Sequence, residues 1–174
     1  MEAEMIITER LEIVPLDEKY VEELYELWGD YEVIKYTYNN LLKSPQECHN
    51  RLVNWLDLRK DNDGPNKFAI LLKGKMIGII GYPVIESDNF KCGFFYQLIK
   101  SYWGKGYTYE AARAVIAYIF QLHADATIIA EAVTDNIASV RILNRLGFVQ
   151  TGIQQKGFKN NSLELDIYQF ELHK

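Results

Sequence analysis

The part of this 174-residue sequence best suited to chemistry is a loop with two glycines, between a predicted strand and a predicted helix. Its residues, in order, are Trp103, Gly104, Lys105, Gly106, Tyr107 and Thr108. The first N–H groups of a helix have no partner within it and carry the positive end of the helix dipole, so they suit a phosphate. Glycines at 104 and 106 would let a phosphate approach the backbone, and Lys105 adds a positive charge. The loop therefore predicts a phosphate site, although Gly-x-Gly before a helix also occurs in ordinary tight turns.

Two better-known phosphate loops do not fit this stretch. A P-loop needs Ser or Thr after its Gly-Lys pair, whereas Gly106 follows Lys105 here. A dinucleotide-binding loop favours a third glycine at position 109, where Tyr109 stands.

Hydrophobic periodicity predicts the elements that must position this loop. Strands are expected over residues 5–15, 68–72, 76–85, 90–99, 126–133, 148–156 and 163–172. Helices are expected over residues 17–28, 44–60, 106–122 and 136–146, and turns over 61–66, 73–75 and 159–161. Ser44 and Glu47 have capping-box spacing, and Gly147 suits a helix C-terminus. Because strands are grouped before an inserted helix, we expect one α+β domain over residues 1–174, with a mostly antiparallel sheet and helices on its faces.

Composition limits the partners and the compartment. The formal net charge is −5 and no Lys/Arg cluster stands out, so we expect no nucleic-acid partner. An acidic surface favours cationic partners such as polyamines or basic peptides, but mild acidity is also typical of cytosolic domains. No apolar run approaches the ~18 residues of a membrane span, so we expect no membrane association. The sequence has only two cysteines and no recognisable secretory signal, so we expect a cytoplasmic protein without disulfides. The three histidines lack metal-ligand spacing, so we expect no metal site; they are His49, His123 and His173.

Three ordered segments give the sequence a family resemblance. The glycine loop, followed by Glu110 and Ala111, resembles the acetyl-CoA diphosphate loop of GNAT acetyltransferases. Residues 136–139 (N-I-A-S) and 143–148 (L-N-R-L-G-F) resemble the family's N-x-x-S and L-G-F segment. Residues 8–11 (T-E-R-L) resemble the opening strand of the RimJ/RimL-like branch, the ribosomal-protein N-terminal acetyltransferases. Trp103 in place of the usual Gln or Arg is common in that branch, whereas Thr108 replaces the usual Gly or Ala.

The resemblance covers residues 6 to 172 and implies a three-layer GNAT fold, with a mixed, mostly antiparallel central sheet of about seven strands. It also implies that the strand before the loop parts from the next strand and that the gap accepts the pantetheine arm of acetyl-CoA. By position, Tyr96, Gln97 and Leu98 would contact that arm, unless they form an ordinary central strand. Asn136 would contact it as well, and a backbone N–H near Leu98 would stabilise the thioester oxyanion.

The resemblance also implies catalytic roles. Glu131, five residues before Asn136, is the candidate general base for the amine, directly or through water. The alternative is a solvated or ion-paired carboxylate at a strand end, with a water chain or a neighbouring Tyr acting as the base. The tyrosine that many family members use as acid is Leu143 here, which leaves Ser139 as the candidate substitute. Ser139 could instead only hydrogen-bond the sulfur, or cap a helix.

The acceptor implied by the RimJ/RimL-like branch is a peptide or protein N-terminal amine. A polyamine, an amino sugar or an antibiotic is the alternative acceptor, and an acetyl-CoA sensor without catalysis is a third interpretation. The aromatic residues that could wall the acceptor side, or simply pack in the core, are Tyr31, Tyr36, Tyr38 and Trp55. Family members often form homodimers, so a homodimer is expected by resemblance alone.

Overall fold

The computed structural model describes residues 5–57, 66–160 and 163–174. These residues form ten strands, five α-helices and two short 3-10 helices, Glu18–Tyr20 and Lys100–Tyr102. The strands are β1 (Ile6–Ile7), β2 (Leu11–Pro15), β3 (Lys67–Leu72), β4 (Lys75–Gly81), β5 (Val84–Glu86), β6 (Lys91–Gly93), β7 (Phe95–Leu98), β8 (Thr127–Val133), β9 (Val149–Asn160) and β10 (Leu163–Leu172). The helices are α1 (Val21–Trp28), α2 (Tyr31–Ile34), α3 (Pro45–Asp57), α4 (Tyr107–Leu122) and α5 (Ile137–Arg145).

The strands form two five-stranded sheets, in the orders β1-β2-β3-β4-β7 and β5-β6-β8-β10-β9. Every strand pairing among the described residues is antiparallel except that of β6 with β8. The prediction of a mixed, mostly antiparallel α+β arrangement is therefore confirmed.

The chain crosses between the two sheets within segments that the sequence predicts as single strands. Residues 76–85 form β4 in one sheet and β5 in the other, and residues 90–99 change sheets at Phe94, between β6 and β7. The predicted strand over 5–15 is also divided, because Thr8 and Leu11 close a tight turn between β1 and β2. These three breaks account for ten strands where the sequence predicts about seven. They also leave β7 and β8 side by side without pairing, each at the point where its sheet parts from the other.

Helices cover both faces of the sheet that contains β3, as expected. Alternate side chains of a strand point to opposite faces. Accordingly Phe68 and Ile70 pack in the core that includes α4, whereas Ala69 and Leu71 pack in the core that includes α1 and α3. Each core holds one free buried thiol, Cys92 in the first and Cys48 in the second.

Smaller differences concern the N-terminal helices. The helix expected over 17–28 begins as a 3-10 turn, where Asp17 caps the N–H of Lys19. The four-residue α2, capped by Asp30, is too short to show a period in sequence. Three predicted segments extend beyond the described residues: residues 58–60 of the second helix, residues 61–65 of one turn and residue 161 of another.

Among the helices described, none has the length and apolar character needed to span a bilayer.

Candidate active site

The gap between β7 and β8 opens into a cleft of about 730 Å³. Helices α1 and α3 form one wall, and the start of α5 forms another. The cleft brings together five of the catalytic and cofactor-binding residues predicted from sequence, which are Tyr96, Gln97, Glu131, Asn136 and Ser139. Leu98, the last residue of β7, and the loop at 103–108, which follows that strand, do not line this cleft.

The backbone of β7 has a free edge toward the gap. Ile99 donates its N–H to Ile77 on the β4 side at 2.8 Å, and backbone groups alternate in direction along a strand. Gln97 therefore directs its backbone groups toward β4, whereas Tyr96 and Leu98 direct theirs toward the gap. Of the three residues expected to meet the pantetheine arm, only Tyr96 and Leu98 have backbone groups in position. The Leu98 carbonyl already accepts a 2.7 Å hydrogen bond from Trp103 Nε1, which leaves its N–H for a ligand.

The glycine loop leads directly into α4. Gly104 and Gly106 have φ values of 74° and 81°, in the left-handed region that other residues adopt only at a cost. Gly106 is the N-cap of α4, so the first free N–H groups of this 16-residue helix point into the space beside the loop. Lys105 turns its ammonium back onto the Ser101 carbonyl at 2.9 Å. The arrangement has the open amide groups and the glycine conformation of an anion site.

A group of three residues, Thr8, Arg10 and Glu110, fastens the N-terminal segment to this loop, and we call it the N-terminal clamp. The Glu110 carboxylate accepts from Thr8 Oγ1 at 2.6 Å, from the Arg10 N–H at 2.9 Å and from Arg10 Nε at 2.7 Å. Arg10 Nη1 also donates to the Lys105 carbonyl at 3.1 Å, and the guanidinium stacks over Tyr107. Burial alone would raise the pKa of Glu110, but these hydrogen bonds together hold it below its usual range. Sequence reasoning missed this role, although the motifs it used include all three residues.

Glu131 lies on β8 opposite Gln169 of β10, with its side chain exposed at the cleft. Its carboxylate has no hydrogen bond or ion pair with any described residue. It lies near the Tyr38 hydroxyl, whose pKa is raised first by burial and then by this negative charge. A free carboxylate at the mouth of the gap is placed to accept a proton from a bound ammonium.

Ser139 and Tyr96 meet across the gap. The Tyr96 hydroxyl lies 3.0 Å from Ser139 Oγ, and burial raises the pKa of Tyr96 to about 12, opposed by this hydrogen bond. Asn136 caps α5 through a 3.3 Å bond from the Ser139 N–H, so Ser139 is held by its neighbours at both its backbone and its hydroxyl. Leu143 is buried in the cleft wall, where the family's tyrosine would stand. The Tyr96 side chain is therefore a second hydroxyl that sequence reasoning missed, since it assigned only the backbone of that residue.

Aromatic rings form the opposite wall. Trp55 packs between Trp28 and Phe95: its ring centroid lies 5.6 Å from that of Trp28 and 5.5 Å from that of Phe95. Trp28 Nε1 donates to Gln97 Oε1 at 2.9 Å, which ties this wall to β7. Of the four aromatic residues considered for the acceptor side, Tyr36, Tyr38 and Trp55 line the cleft and Tyr31 does not.

Comparison with known proteins assigns the family. Residues 10–149 match the family model described as "Acetyltransferase (GNAT) domain". The chain belongs to the GNAT acetyltransferase family. Its enzyme class is acetyl-CoA-dependent N-acetyl transfer. In the part of the chain described, no group of three or more His, Cys, Asp or Glu side chains is placed to hold a metal ion.

Relatives and solved structures agree with this assignment over almost the whole chain. The chain is 28% identical to the uncharacterized N-acetyltransferase p20 of Bacillus licheniformis, with 98% of this chain and 97% of p20 covered. The fold is similar to that of RimL, a ribosomal L7/L12 α-N-protein acetyltransferase solved with coenzyme A (TM-score 0.86, 19% identity, 98% of each chain). It is also similar to the microcin C7 self-immunity acetyltransferase MccE, solved with acetyl-CoA and AMP (TM-score 0.82, 20% identity, 96% of this chain and 94% of MccE). The expected GNAT resemblance is thereby confirmed, and the likeness in fold extends to RimL.

Proposed function

We propose that this GNAT enzyme acetylates the N-terminal amine of a peptide or protein in the cytoplasm. The observation that carries the proposal is a free carboxylate, Glu131, in the same cleft as the hydrogen-bonded hydroxyls of Ser139 and Tyr96. Acetyl transfer to an amine needs a proton acceptor on the amine side and a donor near the departing sulfur, and one cleft supplies both. The fold likeness to RimL, a protein N-terminal acetyltransferase, supports a peptide acceptor.

The residues around the gap fit acetyl-CoA. The Gly104 and Gly106 conformations and the free N–H groups at the start of α4 suit its diphosphate. The backbone groups of Tyr96, which point away from β4, suit the amides of its pantetheine arm, which would extend the β7 edge as a further strand would. At Leu98 the carbonyl is taken by Trp103, so only the N–H is left, and it would face the thioester. Bound there, acetyl-CoA supplies an activated thioester carbonyl.

Each residue has a chemical role in this proposal. Glu131 accepts the proton that the ammonium must lose before it can act as a nucleophile. The Leu98 N–H donates to the carbonyl oxygen as negative charge develops there. Ser139, itself hydrogen-bonded to Tyr96, donates toward the sulfur, so that a proton can pass between two hydroxyls 3.0 Å apart. Leu143 takes no part, because its side chain carries no proton to donate.

The test is thiol release from acetyl-CoA in the presence of acceptor peptides, polyamines and aminoglycosides. The Glu131→Gln variant is compared with Glu12→Gln, a matched change at an exposed carboxylate on β2 outside the cleft. Because a positioned base contributes at least about 100-fold, we expect Glu131→Gln to lower kcat by that factor and Glu12→Gln to leave it unchanged.

The acceptor panel separates the competing functions. Turnover of peptides with free N-termini, and none of N-terminally blocked peptides, supports the proposal. Turnover of polyamines or aminoglycosides alone would replace it with small-molecule acetylation. Tight coenzyme A binding without turnover of any acceptor would instead identify a sensor, and unchanged activity in Glu131→Gln would remove that residue as base.

A further inference from the structure

Two charged side chains line the cleft among the described residues, and the proposed reaction uses only Glu131. The other is Arg51, on the α3 wall that faces the acceptor side. Its guanidinium packs over the Trp28 ring, 5.4 Å from the centroid. Arg51 therefore lies on the aromatic wall, in the half of the cleft that the acceptor would occupy.

The hydrogen bonding of Arg51 is incomplete. Nη2 donates to the Asn40 carbonyl at 3.0 Å, whereas Nη1 is buried and has no hydrogen-bond partner. No described carboxylate forms an ion pair with Arg51, and the nearby Glu47 instead accepts from the Lys43 N–H at 2.8 Å. Burial lowers the pKa of Arg51, with Cys48 and Glu47 acting in the opposite direction. A buried guanidinium nitrogen without an acceptor is unfavourable, which distinguishes Arg51 from an arginine that only braces a loop.

We propose that Arg51 binds a carboxylate of the acceptor, while the acceptor's amine lies at Glu131. This inference rests on the proposed function and names its substrate class, an amine that also carries a carboxylate. A guanidinium matches the planar geometry of a carboxylate and can bind it through two parallel hydrogen bonds. The rings of Trp28, Trp55 and Phe95 give the wall that carries Arg51 an apolar surface for the carbon chain of the acceptor.

The bond to Asn40 supports this geometry. It fixes one edge of the guanidinium to the segment between α2 and α3, so the orientation of the group is set before the acceptor binds. On the same wall, Trp28 connects Arg51 to Gln97 and thereby to the β7 edge. A carboxylate held by Arg51 would therefore have a fixed position relative to the reaction centre, and this selects the acceptor by geometry as well as by charge.

The experiment compares acceptors that differ by one charge. The first pair consists of two tetrapeptides with amidated C-termini, one containing Glu and the other Gln at the same position. The second pair is one dipeptide with either a free or an amidated C-terminus. In wild type we expect kcat/KM to be about 10- to 100-fold higher for the carboxylate member of a pair. A preference in the first pair assigns the carboxylate to a peptide side chain, and one in the second pair to the acceptor's own C-terminus.

Variants then locate this preference. Arg51→Met, which keeps the apolar stem, should bring the two kcat/KM values within about two-fold of each other, and Arg51→Lys should restore part of the difference. Arg113→Met, at an exposed position on α4 outside the cleft, should retain the wild-type preference.

Two results would overturn the inference while leaving the proposed function intact. One is an equal kcat/KM for the two members of each pair in the wild-type enzyme. This comparison uses wild type alone, so it does not depend on whether a variant folds. The other is an equal loss on charged and neutral acceptors in Arg51→Met. Failure of every amine acceptor to turn over would refute the proposed function and this inference with it.

Discussion

Replacing Glu110 by Gln should loosen the glycine loop through the N-terminal clamp. The change keeps the shape of the side chain but removes the charge that Thr8 and Arg10 share, and it turns an amide N–H toward the Arg10 guanidinium. The Glu110 side chain is only 17% exposed, whereas that of Arg10 is 42% exposed, so the ion pair itself is partly screened. Counting two weakened hydrogen bonds at ~0.5–1 kcal/mol each and the screened ion pair at ~0.5–1, we expect a loss of about 2 kcal/mol.

Thermal unfolding and acetyl-CoA kinetics measure the two consequences separately. For a domain of this size, a loss of about 2 kcal/mol lowers Tm by roughly 4–8 °C. Because Arg10 also holds the Lys105 carbonyl, the KM for acetyl-CoA should rise while kcat at saturation stays nearly unchanged. Glu12→Gln serves as the control and should alter neither quantity. A lower Tm with an unchanged KM would instead show that the clamp stabilises the fold without positioning the loop for acetyl-CoA.

The remaining predictions use the same two assays. The pKa of Glu110 lies below its ordinary value of 4.5. The stability that the ionised carboxylate contributes is therefore present above pH 4.5 and is lost as the pH falls through the pKa of the folded state. The Tm difference between wild type and Glu110→Gln should accordingly shrink below about pH 4.5. Tyr96→Phe and Ser139→Ala should each lower kcat, and the double variant should lose less than the product of the two effects, because they share one hydrogen bond; independent effects would argue against the relay. Gly106→Ala places a side chain at φ 81° and should lower stability by about 1–2 kcal/mol and raise the KM for acetyl-CoA, whereas an unchanged KM would separate the loop conformation from cofactor binding.

Long periodic segments could be read from the sequence, but the change of sheets could not. The predicted helix over 106–122 differs from α4 by one residue, because its apolar positions recur over four turns. Residues 90–99 look like one apolar strand, yet Phe94 separates β6, which pairs with β8, from β7, which pairs with β4. Which neighbour each half pairs with is decided by tertiary contacts that no local pattern encodes.

The candidate site likewise contains some residues that the sequence predicts and others that it does not. The glycine loop and the Asn136–Ser139 pair are contiguous in sequence, so motif reasoning could find them. The N-terminal clamp joins residues 100 positions apart, and the Tyr96 hydroxyl meets Ser139 across 43 positions. Spacing along the chain carries no information about such pairs when only one sequence is read, so a site assembled from distant strands and helices needs the folded structure.

The charge of the cleft and the charge of the whole chain point to different acceptors. A net charge of −5 favours cationic partners by long-range attraction, but screening weakens that attraction beyond a Debye length of about 8 Å at physiological salt. Inside the cleft, Glu131 and the half-buried Arg51 act at contact distance, and burial strengthens the hydrogen bonds that a guanidinium makes. The net charge can therefore influence how often an acceptor arrives, whereas in the proposed reaction Glu131 and Arg51 would decide which acceptor is held with its amine at the reaction centre. An acceptor with both an amine and a carboxylate would supply a partner to each of these side chains, and a polyamine would leave the buried Arg51 Nη1 without an acceptor.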